Sequence, residues 1–212
     1  MNPVLVEAWR GNIVESAHRG AFAVLDSHGG VRESLGDIDR PVFPRSAVKV
    51  MQALPLVASG AAERFGLSDA ELALACASHN GEPAHVAAAE AMLAKAGLDA
   101  AALECGAHWP YREAFQRQMA AHGQTPTALH NNCSGKHAGF VCIGCLLAAH
   151  AGQDARAFVR GYLQPQHPVM RVVSAAIARA TGADLGAAPV GTDGCSIPTY
   201  ALPLRALALG FA

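Results

Sequence analysis

Four short stretches of this chain gather residues able to do chemistry. Ser46-Ala47-Val48-Lys49 sets a lysine three positions after a serine, at the head of a run whose apolar residues recur at helical spacing. In a helix that spacing puts both side chains on one face, where an amine can take the seryl proton and the helix N-terminus offers positive charge to an oxyanion. A helix cap followed by a solvated lysine gives the same letters, but Lys49 stands between Val48 and Val50-Met51. Burial in such a run lowers the pKa of an amine and makes it a better base. Ala77-Ser78-His79-Asn80-Gly81-Glu82 brings in a second serine, either on a loop entering a cleft, with Ser78 relaying a proton or donating to a carbonyl, or as an ordinary helix terminus.

The stretch His130-Asn131-Asn132-Cys133-Ser134-Gly135-Lys136-His137 packs imidazoles, amides, a thiol and an amine just before a long apolar helix. Its donors converge where the helix dipole is positive, as a site or as a polar capping loop. The Gly-x-x-x-x-Gly-Lys-Ser/Thr spacing of a phosphate loop is absent, so nucleotide binding is not expected. In Gly191-Thr192-Asp193-Gly194-Cys195-Ser196-Ile197-Pro198, Asp193 and Cys195 share a face if the segment is extended. Cys133 and Cys195 could then share a metal. Two thiolates suit zinc, although the pair alone is incomplete without further N, S or O donors. Cys142 and Cys145 form a C-x-x-C inside an apolar helix and read as buried small hydrophobes.

These residues need a scaffold. Val4 to Arg10, Asn12 to Ala17, Ala21 to Asp26 and Val31 to Leu35 read as strands separated by turn-prone glycines, most economically a β-meander. Ser46 to Val57 reads as a helix; Ser68-Asp69-Ala70-Glu71 has the form of a capping box that opens another running toward Ser78. Further helices are expected over Pro83 to Ala96, Tyr111 to Ala121, Ser134 to Ala149 and Pro168 to Ala180. The chain closes on the Leu-rich stretch Ala201 to Ala212, a face that suggests a further packing segment.

The 212 residues suit one domain with a substantial core. With 16 Lys and Arg against 17 Asp and Glu, the formal charge of -1 gives no reason to expect nucleic acid or an anionic membrane as partner. The stretch Ala138 to Ala149 falls short of the ~20 residues of a membrane span and reads as a core helix. Six cysteines without an export signal point to reduced thiols and a cytoplasmic location.

Taken in order, Pro44 to Lys49, Cys76 to Pro83, His130 to Phe140 and Thr192 to Ser196 resemble the signature of the Rhizobium-type (type II, serine-dependent) L-asparaginases. The resemblance implies an α/β fold similar to serine β-lactamases, penicillin-binding proteins and glutaminases, an antiparallel sheet with packed helices, and hydrolysis of L-asparagine to L-aspartate and ammonia. It makes Ser46 and Lys49 the nucleophile and base and Ser78 the second catalytic serine. Cys133, Lys136 and Cys195 become ligands of a zinc ion, and Asp193 a residue close to that metal and to the substrate. His79, in the loop beside Ser78, is expected to bind substrate. Arg45, next to Ser46, is the guanidinium best placed for an α-carboxylate. Family members continue beyond this chain's end and carry there a further lysine that pairs with the second serine, so the C-terminal part of the fold is expected to be missing; a homodimer is the family expectation. A penicillin-recognising or glutaminase-like acyl hydrolase, or a non-catalytic fragment, are the rival readings.

Overall fold

Tight turns organise the first strands. Gly11, at φ 59°, reverses the chain between β1 (Val4–Arg10) and β2 (Ile13–Arg19), a left-handed conformation that costs glycine little. Between β3 (Phe22–Leu25) and β4 (Val31–Leu35) the turn is held by Asp26, whose Oδ1 accepts from the backbone N–H of His28 at 2.8 Å and of Gly30 at 2.9 Å. The computed structural model describes the whole chain, Met1–Ala212. The order continues with β5 (Pro41–Val42), α1 (Lys49–Ala58), α2 (Ala61–Arg64), α3 (Asp69–Ala75), α4 (Pro83–Lys95), α5 (Glu113–Ala121), α6 (Ser134–His150), α7 (Ala155–Val159) and α8 (Pro168–Thr181). It closes with β6 (Val190–Thr192), β7 (Pro198–Tyr200), β8 (Leu202–Pro203) and α9 (Leu204–Phe211).

The protein is α/β, with small antiparallel sheets and packed helices. The expected four-stranded meander does not form: β1–β2 and β3–β4 are separate two-stranded sheets, as are β5–β8 and β6–β7. After β2 the chain pairs backward, Gly20 N–H donating to Pro3 O at 3.1 Å, and β3 goes on to pair with β4.

Two compact units emerge. One comprises Met1–Pro44, Ala178–Pro189 and Tyr200–Ala212. In it α9 packs on β3, and Arg205 forks onto Asp39 at 2.8 and 3.1 Å while its backbone N–H donates to Ile38 O. The β1–β2 hairpin keeps Val6, Trp9 and Ile13 exposed.

The other unit, Arg45–Ile177 with Val190–Thr199, is built around α6. That helix is apolar around its whole circumference, and 14 of its 17 residues are buried, so it can only be a core element. No helix is long and apolar enough to cross a membrane. Helices α1, α3, α4 and α7 surround it, and glycine permits the closest approaches. A Cβ on Gly135 would lie 2.6 Å from Leu74 O, and one on Gly144 would lie 2.7 Å from Val159 Cγ1.

The capping box at α3 forms as its sequence dictates. Ser68 N–H donates to Glu71 Oε2 at 2.6 Å, Glu71 N–H donates back to Ser68 Oγ at 3.4 Å, and Lys95 pairs with the same carboxylate at 2.6 Å. The helix stops at Ala75, short of Ser78, leaving residues 76–82 as a loop. Ahead of α1, Arg45–Val48 form a 3-10 turn, so Ser46 precedes the α-helix that begins at Lys49.

Substituting Gly135→Ala forces a methyl against the α3 backbone, and overpacking of this kind costs about 1–3 kcal/mol. Denaturant unfolding should show that loss, with Gly139→Ala, whose Cβ meets Leu56 Cδ2 at 3.3 Å, losing less. Equal stability of Gly135→Ala and the parent chain would contradict the packing described.

Candidate active site

Three elements converge at the N-terminal end of α6. The 3-10 turn carries Arg45 and Ser46, the first turn of α1 carries Lys49, and the loop after α3 carries Ser78 and His79. His79 N–H donates to Asn132 O at 3.1 Å, which fastens that loop to the residues preceding α6. A fourth contribution comes from the β6–β7 turn. There Asp193 N–H donates to Ile197 O, Ser196 N–H donates to Asp193 O, and Ser196 takes φ 72°. A non-glycine residue in the left-handed region marks a tightly determined turn, and this one carries Asp193 and Cys195.

Ser78 is the hub of the first cluster. Lys49 Nζ donates to Ser78 Oγ at 2.8 Å and to Ala77 O at 2.8 Å, and Ser78 Oγ in turn donates to Ser46 Oγ at 2.7 Å. Lys49 thus connects to Ser46 through Ser78; the three-residue spacing does not bring amine and hydroxyl into direct hydrogen bonding, because Ser46 sits on the 3-10 turn. Lys49 is 1% exposed. Burial pulls its pKa below the ordinary lysine value, the charge of Lys136 adds to that, and the Cys133 and Cys195 sulfurs oppose it.

The second cluster is a pair of thiols beside an amine. Cys133, Lys136 and Cys195 are 5%, 2% and 3% exposed, and Lys136 Nζ donates to Cys195 Sγ at 3.1 Å. Asn131 holds Cys133 in place: its Oδ1 accepts from Cys133 N–H at 2.9 Å while its Nδ2 donates to Cys105 O and Gly106 O. Cys133 is the N-cap of α6, where the helix dipole favours an anion. Its thiol is lowered to about 6, chiefly by a hydrogen bond from Cys195 and then by the charges of Lys136 and Lys49 acting against burial. Sharing that proton pushes Cys195 up to about 11.

His79 is only 5% exposed, and both ring nitrogens are engaged: Nδ1 accepts from Gly81 N–H at 3.1 Å and Nε2 meets Ser134 Oγ at 2.9 Å. Burial lowers it to about 4, so it is a neutral strut for its loop. Arg45, exposed and at φ 49°, has no hydrogen-bonding or ionic partner within the chain. Asp193 accepts from Gly194 N–H at 2.8 Å through Oδ1, while Oδ2 lies 3.7 Å from Cys195 Sγ.

No group of three His, Cys, Asp or Glu side chains gathers in a way that could hold a metal ion. A three-ligand site must therefore draw on Lys136. The donors present suit zinc in kind: two sulfurs, one already anionic in tendency, with an amine at hydrogen-bonding distance from the other. Cys142 and Cys145 are buried in α6, away from any such chemistry, with Cys142 Sγ donating to Met92 O. Sequence reasoning passed over two residues. Asn131 had a local signal, an Asx turn two residues before Cys133, whereas Tyr162, whose phenol meets His137, had none.

Compared with known families, residues 6–212 match the model described as L-asparaginase II. No curated protein matches the chain.

Because burial raises Cys105 and Cys142 to about 12 and Cys145 to about 11, with Cys76 also raised, and the bond to Cys133 with burial raises Cys195 to about 11, only Cys133 ionises near neutrality. Thiolate ultraviolet absorbance of the metal-free protein should rise by one thiolate per chain as pH passes through about 6. Cys133→Ser should abolish the step; a step that persists there, or never occurs below the ordinary cysteine range, refutes the assignment.

Proposed function

We propose that this chain, which belongs to the L-asparaginase II family, hydrolyses the side-chain amide of L-asparagine through Ser46, with Ser78 as the proton relay to Lys49. Family membership makes the protein a hydrolase of the L-asparaginase class. The observation that carries the mechanism is the unbroken hydrogen-bonded line Ser46–Ser78–Lys49.

With Lys49 neutral the line reverses its donors. Ser46 Oγ attacks the amide carbonyl carbon and gives its proton to Ser78 Oγ, which passes its own proton to Lys49 Nζ. Collapse of the tetrahedral adduct returns a proton along the same line to the leaving nitrogen, releasing ammonia and leaving an ester on Ser46. Water gives a proton through Ser78 to Lys49 as it attacks that ester, and the proton returns through Ser78 to Ser46 Oγ as the acyl bond breaks and L-aspartate leaves. Only the unprotonated amine can begin the cycle, so activity rises with pH as Lys49 loses its proton. Its depressed pKa places that rise below the range of an ordinary lysine.

Arg45, free of internal partners, receives the α-carboxylate, and Asp193 balances the substrate ammonium. Cys133, Lys136 and Cys195 would hold a zinc ion, which when bound supplies a fixed positive charge that orients substrate or water. The serine β-lactamase-like architecture, a homodimer and a cytoplasmic location belong to the same reading; all six cysteines are free.

Assay of asparagine, glutamine and a chromogenic β-lactam should give turnover of asparagine foremost. Ser46→Ala should lower kcat by roughly 10⁴-fold or more, and Ser78→Ala by on the order of 10²–10⁴-fold, the range of a lost general base. Arg45→Ala should raise KM with kcat little changed. Full turnover by Ser46→Ala ends the nucleophile assignment, unimpaired Ser78→Ala ends the relay, and preference for the β-lactam would favour a penicillin-recognising acyl hydrolase.

Elemental analysis of protein purified without chelator should find equimolar zinc, lost in the Cys133→Ser, Cys195→Ser double variant. Affinity should fall as pH drops, since sulfur and amine ligands bind only when deprotonated. Zinc retained without either thiol would eliminate this site.

A further inference from the structure

The relay asks Ser78 to keep two short hydrogen bonds at once, yet Ser78 is exposed and stands on a loop. Loops are the mobile parts of a fold unless something ties them down. The next residue has the bonds to do so. His79 is joined to the residues at the head of α6 through both backbone and ring: its N–H donates to Asn132 O at 3.1 Å, and its Nε2 lies 2.9 Å from the Oγ of Ser134, the first residue of α6, which is 0% exposed.

Geometry places the ring proton from both ends. Gly81 N–H reaches Nδ1 at 3.1 Å, and a backbone amide can only donate, so Nδ1 is bare. Ser134 Oγ donates its single proton to Leu129 O at 2.8 Å, so toward His79 it can only accept, and Nε2 must carry the hydrogen. The bond at Gly81 depends on the absence of a side chain there: at φ 71° a Cβ would lie 2.6 Å from His130 O. His85, whose Nδ1 accepts from Glu82 N–H at 3.2 Å, stacks on the His79 ring with 5.1 Å between centroids. With both nitrogens engaged and one face covered, the ring has no donor or acceptor to spare for a ligand.

We propose that His79, as the Nε2–H tautomer, latches the Ser78 loop to Ser134 on the core helix and is a positioning residue for the relay rather than a contact for substrate. The latch runs from Gly81 N–H through His79 and Ser134 to Leu129 O, and all four residues are buried. It ties the loop to the helix within one residue of the hydroxyl that must reach both Ser46 and Lys49. Proton transfer through a hydroxyl tolerates little displacement, and a misplacement of about 1 Å can cost on the order of 10²-fold in rate. The positioning role rests on the Ser46–Ser78–Lys49 reading, while the tautomer and its hydrogen bonds do not.

Nitrogen-detected magnetic resonance of the histidine rings in the full chain tests the latch. A neutral His79 with Nδ1 unprotonated and Nε2 protonated is expected at neutral pH; an Nδ1–H tautomer or a charged ring overturns the proposal. Ser134→Ala should move the Nε2 and Hε2 resonances of His79, and unmoved signals would take Ser134 out of the latch. In steady-state hydrolysis of L-asparagine, His79→Ala should lower kcat by about 10²-fold with KM little changed. His79→Gln, whose amide can accept from Gly81 and donate to Ser134, should recover most of that loss. A raised KM with kcat retained would make His79 a substrate contact and overturn the positioning role, as would equal losses in the Gln and Ala variants. Failure of the relay reading would show itself separately, as unimpaired Ser78→Ala, and would remove the positioning role while the ring spectra still decided the latch.

Discussion

Two lysines lie buried within reach of one another's field, and the site is organised around making that tolerable. Lys49 and Lys136 are 1% and 2% exposed, and the charge of Lys136 helps to lower the pKa of Lys49. An isolated buried ammonium is costly unless paired, bonded or neutralised. The chain uses all three. The Cys133 sulfur at the positive end of α6 supplies countercharge, Ala77 O and Ser78 Oγ accept from Lys49, and the remaining cost appears as a depressed Lys49 pKa. The arrangement that relieves buried charge is also the one that pulls the Lys49 amine below the ordinary lysine range.

Helix α6 links that electrostatic problem to the packing one. Its N-cap is Cys133, its first turn carries Lys136 and His137, and its remaining length is the centre of its unit. Glycines at positions 135, 139 and 144 bring neighbouring chain segments close. Close approach at Gly135 sets the end of α3, and hence the loop that carries Ser78, against the end of the helix that carries Cys133. The loop bearing Ser78 and the N-cap Cys133 come together because one core helix is packed without side-chain spacers at that point.

Much of this was written locally in the sequence. The capping box at Ser68 and Glu71, the proline opening α8 and the all-round apolar character of α6 each involve residues within a few positions of one another, and each reads as it folds. Sheet pairing was less legible. The two hairpins close on their own turns, but β5 pairs with β8 across most of the chain with two residues apiece, too little pattern to register. The Ser46–Lys49 spacing suggested a direct contact because an α-helix was assumed. A 3-10 turn, entered through a left-handed Arg45, redirects the hydroxyl toward Ser78 instead. The Tyr162–His137 contact depends on how α6 meets a distant turn, so no spacing in the chain announces it.

The all-round burial of α6 also bears on how this protein can change. A helix with solvent on one side accepts substitutions there freely; this one has almost no such side, and a new side chain must displace a neighbour. Residues on the rim, Arg45 on its exposed turn and Asp193 at a half-buried reversal, carry no such burden. Substitution is therefore most accessible, by selection or by design, in the turns that border the candidate site, while the helix that supplies its thiol and amine is held nearly fixed by the stability of the whole unit.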